Sequence, residues 1–267
     1  MKYAQLIIGL LAGTAIGGSV VAGTGAPLGA GAGMDNEGIK KIVREVIADE
    51  PKLIMESVQK FQMEEQKKQS AGASEMLKDK AVNEQVFDDP NAATYGPKDS
   101  KHVLVQFFDY NCGACKYMFK TTDALVKKDK TIRVVFHEYP IFGPASEANA
   151  RIGLAVNRLN PDKYYDFHVK MMSATDRTDE KTALKFASEL GLDAEKIKAE
   201  AAKPEVTAIL DANRKLGEKL RIQGTPTLVI GDEVIPHALS FEDVEARFAG
   251  TAAAKPDATK ADEPKPE

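Results

Sequence analysis

An α/β domain with a helical insertion is the fold class this chain predicts, and three stretches predict it. Val103 to Phe108 is apolar, β-branched and aromatic; Cys112-Gly113-Ala114-Cys115 follows and opens a run at helical spacing; Thr131 to His137 then alternates as a second strand. From about residue 144 to 220 apolar residues recur at helical spacing in five successive segments. Thr227–Ile230 and Glu233–Ile235 flank Gly231-Asp232, a strong hairpin signal between two β-rich runs.

The elements follow in order. Residues 1–32 have the layout of a secretory signal: Lys2, the apolar run Leu6 to Ala12, then small residues with cleavage points near Ala22 or Ala32. An uncleaved membrane anchor is the alternative, because no charge interrupts Tyr3 to Gly33. Residues 33–87 read as a helical stalk. Ile39, Ile42, Val43, Val46 and Ile47 form one amphipathic stripe, and after Pro51 a second runs through Leu53, Ile54, Val58 and Phe61. A polar stretch from about Gln69 to Ser100 separates these stripes from the rest, which points to self-association through residues 35–69 as a homodimer or homotrimer. The main domain is expected over 88–250, its last helix starting after Ser240 as N-cap, and residues 251–267 read as a disordered tail of Ala, Lys, Pro, Asp and Glu with Thr.

Composition bounds the function. At 43% hydrophobic and 28% charged, the chain can bury a core, and a formal charge of −4 offers no basic footprint for nucleic acid. Its two cysteines, Cys112 and Cys115, sit together at a predicted helix N-terminus, where free N–H groups and the helix dipole favour a thiolate at the first position. Cys115, one turn along and partly buried, is close enough to close a disulfide on an exposed Cys112. Zinc would need two further ligands, but no other cysteine exists and His102, His137, His168 and His237 are scattered singly. A structural disulfide across so short a loop would constrain the unfolded chain little. Redox exchange is the reading these residues favour, with no metal and with the Cys112–Cys115 disulfide as the only cofactor.

A strand, a Cys-x-x-Cys helix and a second strand form the opening of a thioredoxin fold. With the long helical insertion and Gly224-Thr225-Pro226-Thr227 before a hairpin, the chain resembles the DsbA-like branch of the thioredoxin superfamily. Phe107 to Cys112 and Glu138 to Ser146 look like the exported bacterial subgroup that includes ScsC-like proteins and DsbA-like surface antigens. The resemblance implies that Cys112 and Cys115 are catalytic, that Pro226 is a cis-proline, and that Thr225 and Pro226 receive an extended client segment. It implies exported client proteins, a DsbB-like or DsbD-like membrane partner, and a periplasmic location in a Gram-negative bacterium.

Within that resemblance, Gln106, Glu138, Gly113 and Ala114 are candidate modulators, and Thr225 bears on the direction of exchange. Threonine at 225 is more typical of isomerase-type members than of oxidases, which tilts the expectation towards isomerase or reductase work. Gln106 stands six residues before the first cysteine, where relatives often bury an acid; it cannot titrate, so slower deprotonation of Cys115 is expected unless Glu138 or a water takes the role. Gly113 and Ala114 lack the His or Tyr of strong oxidants, leaving backbone N–H groups to hold the thiolate and implying a less oxidising couple. The alternatives are a DsbA-type dithiol oxidase and a non-catalytic peptide-binding surface scaffold. His237 reads as an ordinary loop histidine.

Overall fold

A computed structural model describes residues 36–254; the predicted leader and all of the predicted tail beyond 254 lie outside them. The described chain divides into two bodies, one ending at Ser57 and one starting at Val58.

In the first body lie helix α1, Asn36–Asp49, and the start of α2, Pro51–Met76, with Pro51 at the first helical position its fixed φ suits. No residue of α1 is buried, and Ile39, Ile42, Val43, Val46 and Ile47 all present their side chains to solvent. The predicted stripe is there, exposed among the described residues.

The second body begins earlier than the boundary at 88 that polarity suggested. Ala73 and Leu77 bury themselves, and so do Val82 and Val86 of helix α3, Lys80–Phe87, whose N-cap Asp79 accepts from the N–H groups of Ala81 and Val82. These residues pack with Val105, Phe107, Val135, Leu216, Leu220, Val229 and Val234 on one face of the sheet. The stretch from Gln69 to Ser100 is therefore part of the fold rather than a separator. It also holds a strand, β1, Ala93–Tyr95, whose three residues are too few to show a pattern on their own.

The sheet runs β1-β3-β2-β4-β5, with β2 Val103–Phe108, β3 Arg133–Glu138, β4 Thr227–Ile230 and β5 Glu233–Ile235. β2 and β3 are parallel, joined over helix α4, Gly113–Lys128, and every other neighbouring pair is antiparallel. Alternation along each strand sends Leu104, Phe108, Val134, Phe136, Leu228 and Ile230 to the opposite face, against α4 and the insertion. That insertion is α5 Pro144–Leu159, α6 Pro161–Ser173, α7 Glu180–Glu189, α8 Ala194–Ala201 and α9 Pro204–Lys219. Three of the five start on proline, and the other two are capped by the carboxylates of Asp179 and Asp193. Gly231 supplies the positive φ of the β4–β5 turn. The closing helix α10, Phe241–Ala254, starts where Ser240 Oγ accepts from the Asp243 N–H, and it passes the expected end at 250 because its alanines favour helix.

Candidate active site

Strand β2 ends at Phe108, and the next four residues turn the chain into α4 with Cys112 as N-cap. Two side chains hold that turn. The Asp109 carboxylate accepts from Asn111 N at 2.7 Å and, across from the loop after β3, from Ile141 N at 2.8 Å and Phe142 N at 3.1 Å. Asn111 reaches the insertion instead: its Nδ2 donates to Thr178 O at 3.0 Å and Ser146 Oγ at 3.2 Å, and its Oδ1 accepts from Thr178 N at 2.8 Å. Sequence reasoning missed this brace; the available signal was an Asp-x-Asn run between strand and helix, a turn chemistry without a visible partner.

Both cysteines are free thiols and both are buried; Cys112 is only 4% exposed, where an exposed sulfur was expected. The cause is the loop entering β4. Cys112 Sγ donates to Thr225 O at 3.2 Å, and the Thr225–Pro226 peptide is cis, as the resemblance implied. Gly113 and Ala114 between the cysteines are exposed, with open space around the Gly113 Cα.

The two sulfurs differ in acidity. The Cys115 side chain, hydrogen-bonded to Cys112, brings the Cys112 thiol down to about 5 from 9.0; burial opposes this, while Thr225 and the backbone N–H groups of Cys115 and Ala114 add to it. Burial pushes the Cys115 thiol up, and its hydrogen bond to Cys112 pushes the same way. Thr225 Oγ1 is buried with no partner in hydrogen-bonding geometry, beside the sulfurs it helps to stabilise as thiolates.

The other candidates lie deeper. Gln106 is buried and donates from Nε2 to Thr122 Oγ1 of α4 at 2.6 Å, which ties it to the helix rather than to a sulfur. Glu138 is buried at the end of β3; its Oε1 accepts from Tyr110 at 2.9 Å and from Tyr164 at 3.2 Å, while Oε2 has no partner. Burial holds this carboxyl well above its ordinary value, against the two phenols and with help from Asp109. Among the described residues no hydrogen bond joins Glu138 to either cysteine. His168 sits among the rings of Phe108, Phe119 and Phe136, and burial brings it down to about 3. His237 is exposed.

Residues 103–249 match the model of the DSBA-like thioredoxin domain. The chain belongs to this family. It is 25% identical over 165 residues to the disulfide bond formation protein D of Bacillus subtilis, covering 56% of this chain and 72% of that one. A thioredoxin-like oxidoreductase from Silicibacter pomeroyi is 32% identical with a TM-score of 0.61, covering 64% of this chain and 98% of the other. The catalytic domain of Proteus mirabilis ScsC is 25% identical, also with a TM-score of 0.61, over 67% of this chain and 98% of its own. As a DsbA-like protein it is an enzyme, a thiol–disulfide oxidoreductase, and its helical insertion lies within the matched residues.

Proposed function

We propose that this protein exchanges disulfides in exported client proteins of the Gram-negative periplasm, with a lean towards isomerisation or reduction. The observation that carries the assignment of roles is the opposed acidity of the two sulfurs beneath Thr225: Cys112 brought down to about 5, Cys115 pushed up. Near neutral pH Cys112 is then a thiolate and Cys115 a thiol, the division of labour that attack and resolution require.

In reduction, the Cys112 thiolate attacks one sulfur of a client disulfide. A Cys112–client bond forms, the client S–S bond breaks, and the other client sulfur leaves as thiolate. Cys115 then gives its proton to the departed client thiolate, directly or through water, and attacks Cys112 Sγ, releasing the second client thiolate and leaving the Cys112–Cys115 disulfide. The cysteine pair has supplied two electrons, so the redox-active disulfide is the cofactor. In isomerisation a client thiolate attacks the client sulfur of the mixed disulfide first, a new client disulfide forms, Cys112 leaves again as thiolate and Cys115 keeps its proton. Oxidation is the reduction run backwards. Thr225 and Pro226 present the backbone along which a client strand lies, and the buried Thr225 hydroxyl accompanies whichever sulfur is anionic. Gly113 and Ala114 contribute backbone only, and a thiol near 5 lies between the reference values of about 3.5 for a strong oxidant and about 7 for thioredoxin. This supports a couple less oxidising than DsbA itself. Gln106 and Glu138 act on the site through packing.

A membrane partner resets the pair: DsbD-like if the protein reduces or isomerises, DsbB-like if it oxidises. The exposed stripe of α1 supports self-association as a dimer or trimer. The neutral run from Tyr3 to Gly33 supports export, as a cleaved signal or as an anchor.

Reactivation of scrambled ribonuclease beside oxidation of reduced ribonuclease tests the reading. Cutting the chain at 88 would strip Ala73, Leu77, Val82 and Val86 from the core, so the stripe is disabled instead by Ile42→Asp with Val46→Asp. Reactivation that depends on the stripe establishes an oligomeric isomerase. Oxidation alone, indifferent to the stripe, makes the protein a dithiol oxidase. Activity in neither assay moves it to a peptide-binding scaffold.

A further inference from the structure

Two residues of this chain stand where local preference is against them, and the fold brings them together. Helix α9 ends on the hydrogen bonds of a Schellman turn: Arg221 N donates to Glu218 O at 3.0 Å and Ile222 N to Gly217 O at 2.8 Å. The residue after the C-cap of such a turn takes a left-handed backbone, so glycine usually fills it. Here it is Arg221, at φ 54, directly after the C-cap Leu220. Gly72 is the converse case. It lies inside α2, where glycine weakens a helix relative to alanine.

Each explains the other. A Cβ on Gly72 would stand 3.1 Å from Arg221 Nη1, 3.6 Å from Cζ and 4.0 Å from Nε, so the guanidinium lies against the bare backbone of the helix. A glycine at 221 would have no side chain to reach it. A second tie lies alongside: Ser74 Oγ accepts from Val234 N of β5 at 3.3 Å. Ala73, between Gly72 and Ser74, is buried with Leu77, Leu216, Leu220, Val229 and Val234. The end of α2 therefore holds the chain on both sides of Thr225 and Pro226, at Arg221 before them and at β5, the neighbour of β4, after them.

The connection from Arg221 to the sulfur is short. Ile222, Gln223 and Gly224 separate it from Thr225, whose carbonyl accepts from Cys112 Sγ at 3.2 Å. Little slack is left in those three residues, because Ile222 packs on the core and Gly224 O accepts from Thr227 Oγ1 at 2.8 Å.

We propose that Gly72 and Arg221 are positioning residues for the reacting sulfur: their contact lets α2 set how closely Thr225 sits over Cys112. They act through the loop and not on the sulfur itself. The lock rests on the exchange reading above, in which Cys112 is the nucleophile, and it names what holds the cover of that nucleophile in place.

Arg221→Gly separates this role from a merely structural one. Glycine suits the left-handed turn, so the variant removes the guanidinium without straining the chain. Arg221→Asn, which also tolerates that backbone, controls for the added flexibility of glycine. Gly72→Leu breaks the contact from the other side, in a helix that prefers leucine to glycine. Each full-length variant is reduced, and the Cys112 thiolate is followed by its ultraviolet absorbance against pH. Two contacts of Thr225 weaken when the lock opens, with opposite effects. The carbonyl serves the thiol and the hydroxyl serves the thiolate, and a hydrogen bond to a charged group outweighs one from a weak S–H donor. All three single variants should therefore raise the Cys112 midpoint above the parent value near 5, by about 0.5–1 pH unit. The equilibrium with glutathione should move towards the disulfide by about three- to tenfold, the same effect read as an equilibrium constant. Gly72→Leu with Arg221→Gly should move no further than the larger single effect, because one contact is lost once. A midpoint unmoved in Arg221→Gly and Arg221→Asn, or effects that add as at independent sites, overturns the lock and leaves the exchange reading standing. A parent midpoint near 9 overturns both.

Discussion

Two buried acids in this molecule move in opposite directions. The Cys112 thiol and the Glu138 carboxyl are both almost wholly removed from water, yet the first is brought down and the second pushed up. Desolvation opposes the charged form at both. Donors decide the difference. Around Cys112 converge the Cys115 side chain, Thr225 and two N–H groups at a helix start, all favouring the anion. Glu138 meets two phenols on a single oxygen, leaves the other oxygen unpaired, and feels the negative charge of Asp109. Burial alone therefore says nothing about which way a group titrates; the count and aim of its donors do.

The comparison breaks most visibly at the nucleophile. Cys112→Ser should lower disulfide exchange by on the order of a thousandfold or more, as loss of a nucleophile does elsewhere, while Glu138→Gln leaves it nearly unchanged. Equal losses in a ribonuclease assay would mean that the two regions are one site.

Gly153 probes the deep cluster by crowding. A Cβ there would stand 2.5 Å from Glu138 Oε1 and 2.8 Å from the Tyr110 hydroxyl, so Gly153→Ala should cost about 1–3 kcal/mol in urea unfolding. A neutral result would show that the two side chains shift freely.

pH separates the regions more finely. Glu138 is held above its ordinary 4.5, so the folded chain binds that proton more tightly than the unfolded one, and stability falls as pH rises past 4.5. Glu138→Gln removes this loss and should gain on the parent as pH rises past 4.5 in chemical unfolding. Cys112 has the reverse sign. Its folded value near 5 lies below the ordinary 9.0, so the reduced protein gains stability as pH rises from about 5 to 9 and loses it as pH falls back through 5. Iodoacetamide labelling of Cys112 should accordingly be half-maximal near pH 5. A midpoint near 9 would mean that the donors around Cys112 do not act.

What was legible in the sequence follows the range of the interactions. Strand β2, helix α4, the β4–β5 hairpin and the five inserted helices each announce themselves through local periodicity, a turn or a cap, and so does the Cys112–Cys115 pair. Helix α3 and strand β1 do not, because each is short and owes its place to docking on the sheet. The burial of Cys112, the Asp109 brace and the Gly72–Arg221 contact were illegible for the same reason: each joins residues far apart in the chain. Gln106 shows the limit from the other side. Its place ahead of the cysteines is plain in the sequence, but only the fold reveals that its amide is spent on Thr122.

The contact between Cys112 Sγ and Thr225 spans 113 residues. A ribosome that has made both cysteines has not yet made the threonine that covers them. Until that loop is synthesised and β4 pairs with β2, the nascent chain lacks the Thr225 share of thiolate stabilisation and the backbone on which a client strand would lie. Full reactivity thus arrives with the completed polypeptide, so a truncated translation product carries the motif without the site.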